Sequence, residues 1–430
     1  MRKLIILLDE WNYNRVFIEK ELRLLLQKYD ISIVCNDEPS QKLEGIDYYT
    51  YSRNSTKGAL GTAIVGFFFN RTVHTEWKII NRTAGNKIAA HSEIFRFYLN
   101  SKMFLAFLKK NQLLNKDDDT IFYSYWNFYK CFTLTEVRNK YPRIRVISRI
   151  HGYDLYKNRM ASGYEPFKAA MLKGLDRLIF ISEQGLEYYK NQYVLCDELN
   201  IKSDCNTEKT TENILGDVKV LLDKCIISRL GTDNDTELRE YARGEDFIIV
   251  SCSSLIPLKA VNRIIEALAL IDNMSVKWVH FGGGIEEDSL KALADKLLKN
   301  KQNIKYDFRG HTANAELMKY YYENTVDAFI TTSTTEGMPM SIMEAMSFGI
   351  PVIASPVGNI PRMMEGNGIL LSDEFSNEDV ARAILTLGKM PINEYMHIRN
   401  NCRYYWEKNY RARDNFRSFV ENIVGGVDKE

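Results

Sequence analysis

Short apolar, β-branched runs recur along the chain and alternate with longer stretches whose apolar residues fall three and four apart. The first pattern suits strands buried on both faces, the second amphipathic helices. In the first half the strand candidates are Lys3–Leu8, Ile31–Cys35, Thr120–Tyr125, Arg145–Arg149 and Arg177–Ile181. In the second half they are Phe247–Cys252, Lys277–Phe281, Lys305–Phe308, Ala328–Thr332, Pro351–Ala354 and Gly368–Leu371. The segment "FIEKELRLLLQKY" reads as the first crossover helix, with Val261–Leu270 and Ser289–Leu298 as later ones. This alternation builds parallel sheets, and two series of strands predict an α/β protein with two doubly wound, Rossmann-like domains.

The polar, aromatic-poor start of Leu195–Lys224 separates the two series. The expected layout is a first domain over 1–195, a connection over 196–224, a second domain over 225–405 and an amphipathic C-terminal helix over 406–430. The segment "ALGTAIVGFFFNR", Ala59–Arg71, is too short to span a bilayer, which needs about 20 residues. It is expected to be a core helix of the first domain; a surface that dips into a membrane or accepts a lipid-linked substrate is the alternative.

Composition narrows the function classes. With 45% hydrophobic and 26% charged residues, the 430-residue chain is of ordinary globular type. Lys and Arg total 57 against 56 for Asp and Glu, so there is no global attraction to nucleic acid. The seven cysteines are scattered without a CxxC pair, which favours reduced thiols in a cytoplasm over a disulfide framework or zinc site. At the N-terminus the apolar run Leu4–Leu8 is cut short by Asp9, as in a first buried strand rather than a secretory signal.

The densest chemistry lies in "EGMPMSIMEAMSFGIPVIAS", Glu336–Ser355. A strand ends near Thr332, Pro339 suits the first turn of a helix, and Gly349 suits its left-handed stop. Glu336 then precedes the helix, Glu344 lies about one turn inside it, and free amides from Gly337, Met338, Met340 and Ser341 face the same end. Helix N-termini at the carboxyl ends of such strands favour anions. Carboxylates beside an anion site make sense for a ligand that also carries hydroxyls, which an ionised carboxylate accepts in pairs. Residue chemistry alone leaves open a simpler role, in which both acids merely favour the helix dipole.

The full pattern E-G-x-P-x-S-x-x-E-A-x-x-x-G-x-P-V-I-A resembles the family 4 retaining glycosyltransferases of the GT-B fold. It is matched by Glu336, Gly337, Pro339, Ser341, Glu344, Ala345, Gly349, Pro351, Val352, Ile353 and Ala354. "SRIHGYDLY" (Ser148–Tyr156) is similar to the family's first-domain HG-x-D segment, while "SYW" (Ser124–Trp126) and "FISEQG" (Phe180–Gly185) resemble the subset that builds exopolysaccharides such as colanic acid. "FGGGIEEDSLKAL", with Gly283, resembles the family's glycine turn, and "DFRGHT" (Asp307–Thr312) a segment whose neighbours line the base pocket. Where the family reads G-R-L-x-x-x-K-G, this chain reads "SCSSLIPLKA": Lys259 matches the Lys, Ser254 stands for the Arg and Ala260 for the Gly.

The resemblance implies two domains facing a cleft, with the helix from Trp406 crossing back onto the first. The catalytic set it implies is His151, Glu336 and Lys259. Glu336 would take hydroxyls of the donor sugar, Glu344 the ribose, and Gly337, Met338, Pro339 and Met340 the sugar and phosphate. Lys259 would meet the diphosphate, with Arg263 one turn on as the cation that compensates for Ser254. Asp154 is a further candidate, with capping of the next helix as its alternative. "KDDDT" (Asp117–Asp119) precedes a strand rather than following one, so it reads as a solvated turn and no metal or cofactor is expected.

The expected activity is metal-independent transfer of a hexose-type sugar, with retention, from a nucleotide-diphosphate sugar to a glycan or lipid-linked acceptor in surface polysaccharide or glycoconjugate synthesis. The expected location is a bacterial cytoplasm, with peripheral membrane contact through the first domain and no nucleic-acid partner. A phosphorylase or disaccharide synthase on the same fold, a GT-B epimerase, and a non-catalytic sugar-nucleotide binder or partner subunit are the alternatives.

Overall fold

In the computed structural model, residues 1–116, 119–195 and 218–426 are described. The chain forms two units, one of residues 1–229 with 416–430 and one of residues 230–415.

The first unit is built on a seven-stranded sheet in the order β3-β2-β1-β4-β5-β6-β7, with every pair parallel. The strands are β1 Arg2–Leu7, β2 Tyr29–Cys35, β3 Ile46–Thr50, β4 Ile121–Ser124, β5 Arg145–Ile150, β6 Arg177–Phe180 and β7 Cys225–Ile227. Both faces of its central strands are covered, which is why β1 is apolar from Leu4 on and β4 opens on Ile-Phe-Tyr, while β5 buries Ser148 and Arg149 among apolar residues. The crossover helix α1 (Trp11–Leu25) lies on one face together with the last turns of the chain, where Phe419, Val420, Ile423 and Val424 pack among Leu4, Ile6, Trp11 and Ile18. There the fully buried Arg149 pairs with Glu21 at 2.7 Å, its guanidinium 4.4 Å from the ring centre of Phe419. Helices α2 (Leu60–Phe69), α3 (Arg71–Thr83) and α4 (Lys87–Lys110) follow β3.

The second unit holds a six-stranded parallel sheet, β10-β9-β8-β11-β12-β13. Its strands are β8 Phe247–Cys252, β9 Val276–Phe281, β10 Ile304–Phe308, β11 Ala328–Thr331, β12 Val352–Ala354 and β13 Gly368–Leu370. The helices that matter below are α5 (Asn262–Ala269), α6 (Glu287–Leu298), α7 (Met340–Ser347) and α8 (Ile392–Asn409). In each sheet the order reverses once, between β1 and β4 and between β8 and β11. Loops leaving the carboxyl ends of strands at such a reversal are the usual ligand position in sheets of this kind.

All eleven strands anticipated from the pattern are present; β3 and β7 escaped it. Strand β3 is half-exposed and carries Asp47 among tyrosines, so it lacks the apolar run of a central strand. Strand β7 has only three residues. It pairs with β6, which extends the first unit to Arg229 rather than ending it before 225. Most of the anticipated connection, 196–217, lies outside the described residues, while 218–224 precede β7 in the first unit.

Trp406 does not start a crossing helix. It sits in α8 of the second unit, fully buried, its indole N–H donating to Thr232 Oγ1 at 2.8 Å, and the chain re-enters the first unit at Phe416. The segment 59–71 is not the core helix expected of it: within α2 only Ala63 and Phe67 are buried. Asp119 pairs with Arg2, and Asp117 and Asp118 lie outside the described residues.

Candidate functional site

In the second unit, two loops flank the reversal point of the sheet. After β8, Ser253–Ile256 lead into a single turn, Pro257–Lys259; after β11, Thr332–Pro339 lead into α7. The loops are stitched together: Thr334 N and Oγ1 donate to Leu258 O at 2.9 and 3.1 Å, and Thr332 Oγ1 donates to Ala260 O at 2.9 Å. This brings Lys259 Nζ to 2.6 Å from Glu336 Oε1, with both side chains mostly shielded but not sealed from solvent.

Ala260 follows with φ of +46°, left-handed backbone that a Cβ disfavours. The loop has kept the conformation that glycine serves elsewhere and accepted the strain. Glu336 and Gly337 are braced from behind: Asn359 N donates to Gly337 O at 3.2 Å, and a Cβ on Gly358 would lie 2.0 Å from Glu336 O.

Pro339 is the residue before the first helical one, with ψ of 116°, so the helix begins at Met340 rather than at the proline. Proline cannot donate, and its fixed φ directs the chain into the first turn. Glu344 lies one turn inside α7, 9% exposed, and accepts from Asn314 Nδ2 at 2.7 Å. Gly349 ends the helix at φ of +66°, where a Cβ would press to 2.6 Å from Leu238. The side chain of Met338 is buried, so what this residue offers outward is backbone.

Ser254 is exposed, in the loop that leads to Lys259. Arg263, on α5, has its guanidinium 4.1 Å from the ring centre of Phe375, and among the described residues no hydrogen bond or ion pair joins it to Lys259 or Glu336. The glycine turn acts on the Ser254 loop through close approach. Gly282, at φ of +135°, would place a Cβ 1.9 Å from Ser253 O, and Gly284 would place one 2.4 Å from Leu255 O. Gly283 O accepts from Leu255 N at 3.0 Å. Sequence reasoning missed His280. Burial lowers its pKa to about 4, and the neutral ring sits between Ser251 Oγ (2.8 Å) and Ser253 O (3.2 Å), fixing the start of this loop.

In the first unit the corresponding loops leave β4 and β5. Asp154, fully buried, accepts from Asn127 N at 2.7 Å and from His151 N at 2.6 Å, clamping the two loops together. It is therefore a loop clamp rather than a helix cap, and burial raises its pKa to about 7 despite nearby Lys168. Lys168 supports the same loop by donating to Asn127 O at 2.7 Å. The His151 ring lies 4.9 Å from that of Tyr125 and 4.5 Å from that of Trp126, and among the described residues neither ring nitrogen has a hydrogen-bond partner. Burial, then the charge of Arg149, lowers its pKa to about 3, so the imidazole is neutral. An uncommitted, neutral imidazole at a strand end can donate or accept toward a ligand. Beyond it, Trp126 stacks on Phe128, which meets Tyr153 edge-on. Phe128 and Tyr153 border a cavity of about 200 Å³ that also takes in Glu165.

Among the described residues no group of three His, Cys, Asp or Glu side chains could hold a metal ion, and no helix is long and apolar enough to cross a membrane.

Residues 233–406, most of the second unit, match the family model described as glycosyl transferases group 1. The GtfA subunit of the UDP-N-acetylglucosamine–peptide N-acetylglucosaminyltransferase of Streptococcus parasanguinis is 25% identical over 251 residues, 55% of this chain and 48% of that protein. The Escherichia coli O-antigen biosynthesis glycosyltransferase WbnH is 36% identical over 92 residues, 21% of this chain and 24% of its own. The chain thus spans less than half the length of these curated relatives.

Among solved structures, Anabaena Alr3699/HepE in complex with UDP and glucose superposes with a TM-score of 0.62 at 15% identity, over 99% of this chain and 100% of that one. The lipopolysaccharide outer core galactosyltransferase WaaB superposes with a TM-score of 0.61 at 15% identity, with the same coverage. The fold is GT-B, and most of its second unit matches the glycosyl transferases group 1 model.

Proposed function

We propose that the protein is a glycosyltransferase that moves a hexose-type sugar, with retention and without a metal, from a nucleotide-diphosphate sugar to a hydroxyl of a glycan or lipid-linked acceptor. The observation that supports this best is the Lys259–Glu336 pair at the sheet's reversal point, one turn of helix from Glu344. An ammonium has three N–H donors, so a bond to Glu336 leaves two for phosphate oxygens. As the bond to the sugar breaks, charge grows on the diphosphate, and Lys259 with the amides of Gly337, Met338, Met340 and Ser341 is preorganised to meet it. Glu336 and Glu344 accept hydroxyls of the sugar and ribose, and His151 meets the transferred sugar. UDP sugars are the first donors to try, because HepE was solved with UDP and with UDP-glucose. Synthesis of a surface polysaccharide is the setting in which relatives such as WbnH are named.

The second reading is a non-catalytic nucleotide-sugar binder or partner subunit, favoured by the exposed Ser254 where a second cation would be expected. One experiment separates the two. The protein is incubated with UDP-, GDP- and ADP-sugars, with and without membrane extract, and nucleotide release is followed. Steady release that depends on the acceptor supports transfer. Donor binding without turnover, unchanged by Glu336→Ala, overturns it.

A further inference from the structure

Helix α2 lacks the polar face that a surface helix normally shows. On its inner side Phe67 is anchored by the rings of Phe95 at 4.9 Å, Tyr98 at 5.5 Å and Trp77 at 5.9 Å. Its outer side is also apolar: Leu60 is 39% exposed, Ile64 38%, Val65 60%, Phe68 54% and Phe69 80%. Ile88, in the first turn of α4, adds a sixth side chain at 87%, and that turn is tied to α2 through His91 and Trp77, whose rings lie 5.6 Å apart. A cluster of this kind is what soluble surfaces avoid unless something covers it.

The charge around it identifies the cover. Residues 53–91 hold six Lys and Arg and a single acid, Glu76, in a chain whose charges otherwise nearly balance. Arg53, Lys57, Arg71, Lys78, Arg82 and Lys87 are all exposed, while Glu76 is buried beneath Tyr164. Protein interfaces are depleted in Lys relative to the rest of the surface. An exposed apolar helix flanked along the chain by exposed cations and no exposed acid matches an anionic lipid surface, where acyl chains take the side chains and phosphates take the cations. Helix α2 has ten residues, enough to lie in the interface but not to cross it.

We propose that α2 is an interfacial anchor that inserts its exposed apolar side chains into an anionic bilayer, with the surrounding Lys and Arg on the lipid phosphates. The proposal does not depend on sugar transfer, because binding is read without donor or acceptor. The purified full chain is sedimented with vesicles of phosphatidylcholine and with vesicles containing phosphatidylglycerol. Binding to the second kind, weakened by salt, is expected. A Val65→Ser, Phe69→Ser variant is expected to lose partitioning by about tenfold or more, with little change in the melting midpoint, since these side chains are 60% and 80% exposed. An Arg71→Gln, Lys78→Gln variant is expected to lose most of the preference for the anionic vesicles. Absence of vesicle binding by the native chain, or equal binding by the serine variant, overturns the proposal. So does a self-association in vesicle-free solution that the serine variant abolishes, which would make the patch a protein interface.

Discussion

Lys259 Nζ and Glu336 Oε1 stand 2.6 Å apart, joining two loops that are 77 residues apart in sequence. The pair sets the position of both charges before a donor arrives. Replacing Lys259 by Ala, or Glu336 by Gln, is expected to lower donor turnover by roughly 10²-fold or more each, the scale of a lost preorganised charge contact. The double variant is expected to fall well short of the product, because each single change already breaks the pair. Nucleotide release at saturating donor checks both statements.

Ala260 holds a left-handed conformation at φ of +46°. Ala260→Gly relieves that strain, and a gain of about 1 kcal/mol is expected, less the added freedom of glycine in the unfolded chain. Scanning calorimetry of the second unit's transition should show a midpoint higher by about 2 °C. In contrast, Gly282→Ala would set a Cβ 1.9 Å from Ser253 O and is expected to lower that midpoint and weaken donor binding together.

With Arg263 resting over Phe375, its part in donor binding is open to a direct test. If Arg263 compensates for Ser254, Arg263→Ala weakens donor affinity about tenfold by calorimetric titration, the usual size of a charged hydrogen bond lost. Unchanged affinity alongside loss in Lys259→Ala would end the compensation idea. Ser254→Arg, on an exposed loop, is expected to tighten donor binding without changing the melting midpoint.

His151 is neutral over the whole working range because burial lowers its pKa to about 3. His151→Ala is expected to reduce transfer by about 10-fold to 10²-fold while leaving the acid limb of the pH–rate profile where it was. A limb that moves with the substitution would show that the ring titrates during turnover.

Glu76 has a pKa raised to about 7 by burial, although its carboxyl accepts from Phe167 N at 2.6 Å and Tyr164 Oη at 2.7 Å and feels Lys157. The folded pKa lies above the unfolded one, so stability from the neutral acid is full below about pH 4.5 and is lost as pH rises through about 7. Glu76→Gln keeps an acceptor and cannot ionise. It is expected to match the native chain near pH 4.5 and to exceed it by up to about 3 kcal/mol above pH 7, read as the difference between denaturation curves at each pH.

Much of this protein was determined by local pattern. The strands of both sheets were legible because a strand covered on both faces must be apolar along its length, as β1 and β8 are. The α7 segment was legible because helix ends demand particular residues, and Gly349 duly closes it in left-handed backbone. What needed the tertiary structure were relations between distant segments. Strand β7 is too short to announce itself and exists because β6 offers it a free edge. Asp154, read as a candidate site residue or a helix cap, is a clamp, since the amide of Asn127 that it holds belongs to another loop. His280 gave no signal, because its role lies in a carbonyl 27 residues upstream. Helix α2 shows the converse: its apolar sequence implied burial, but burial depends on what neighbours cover, and in this fold they cover only one side.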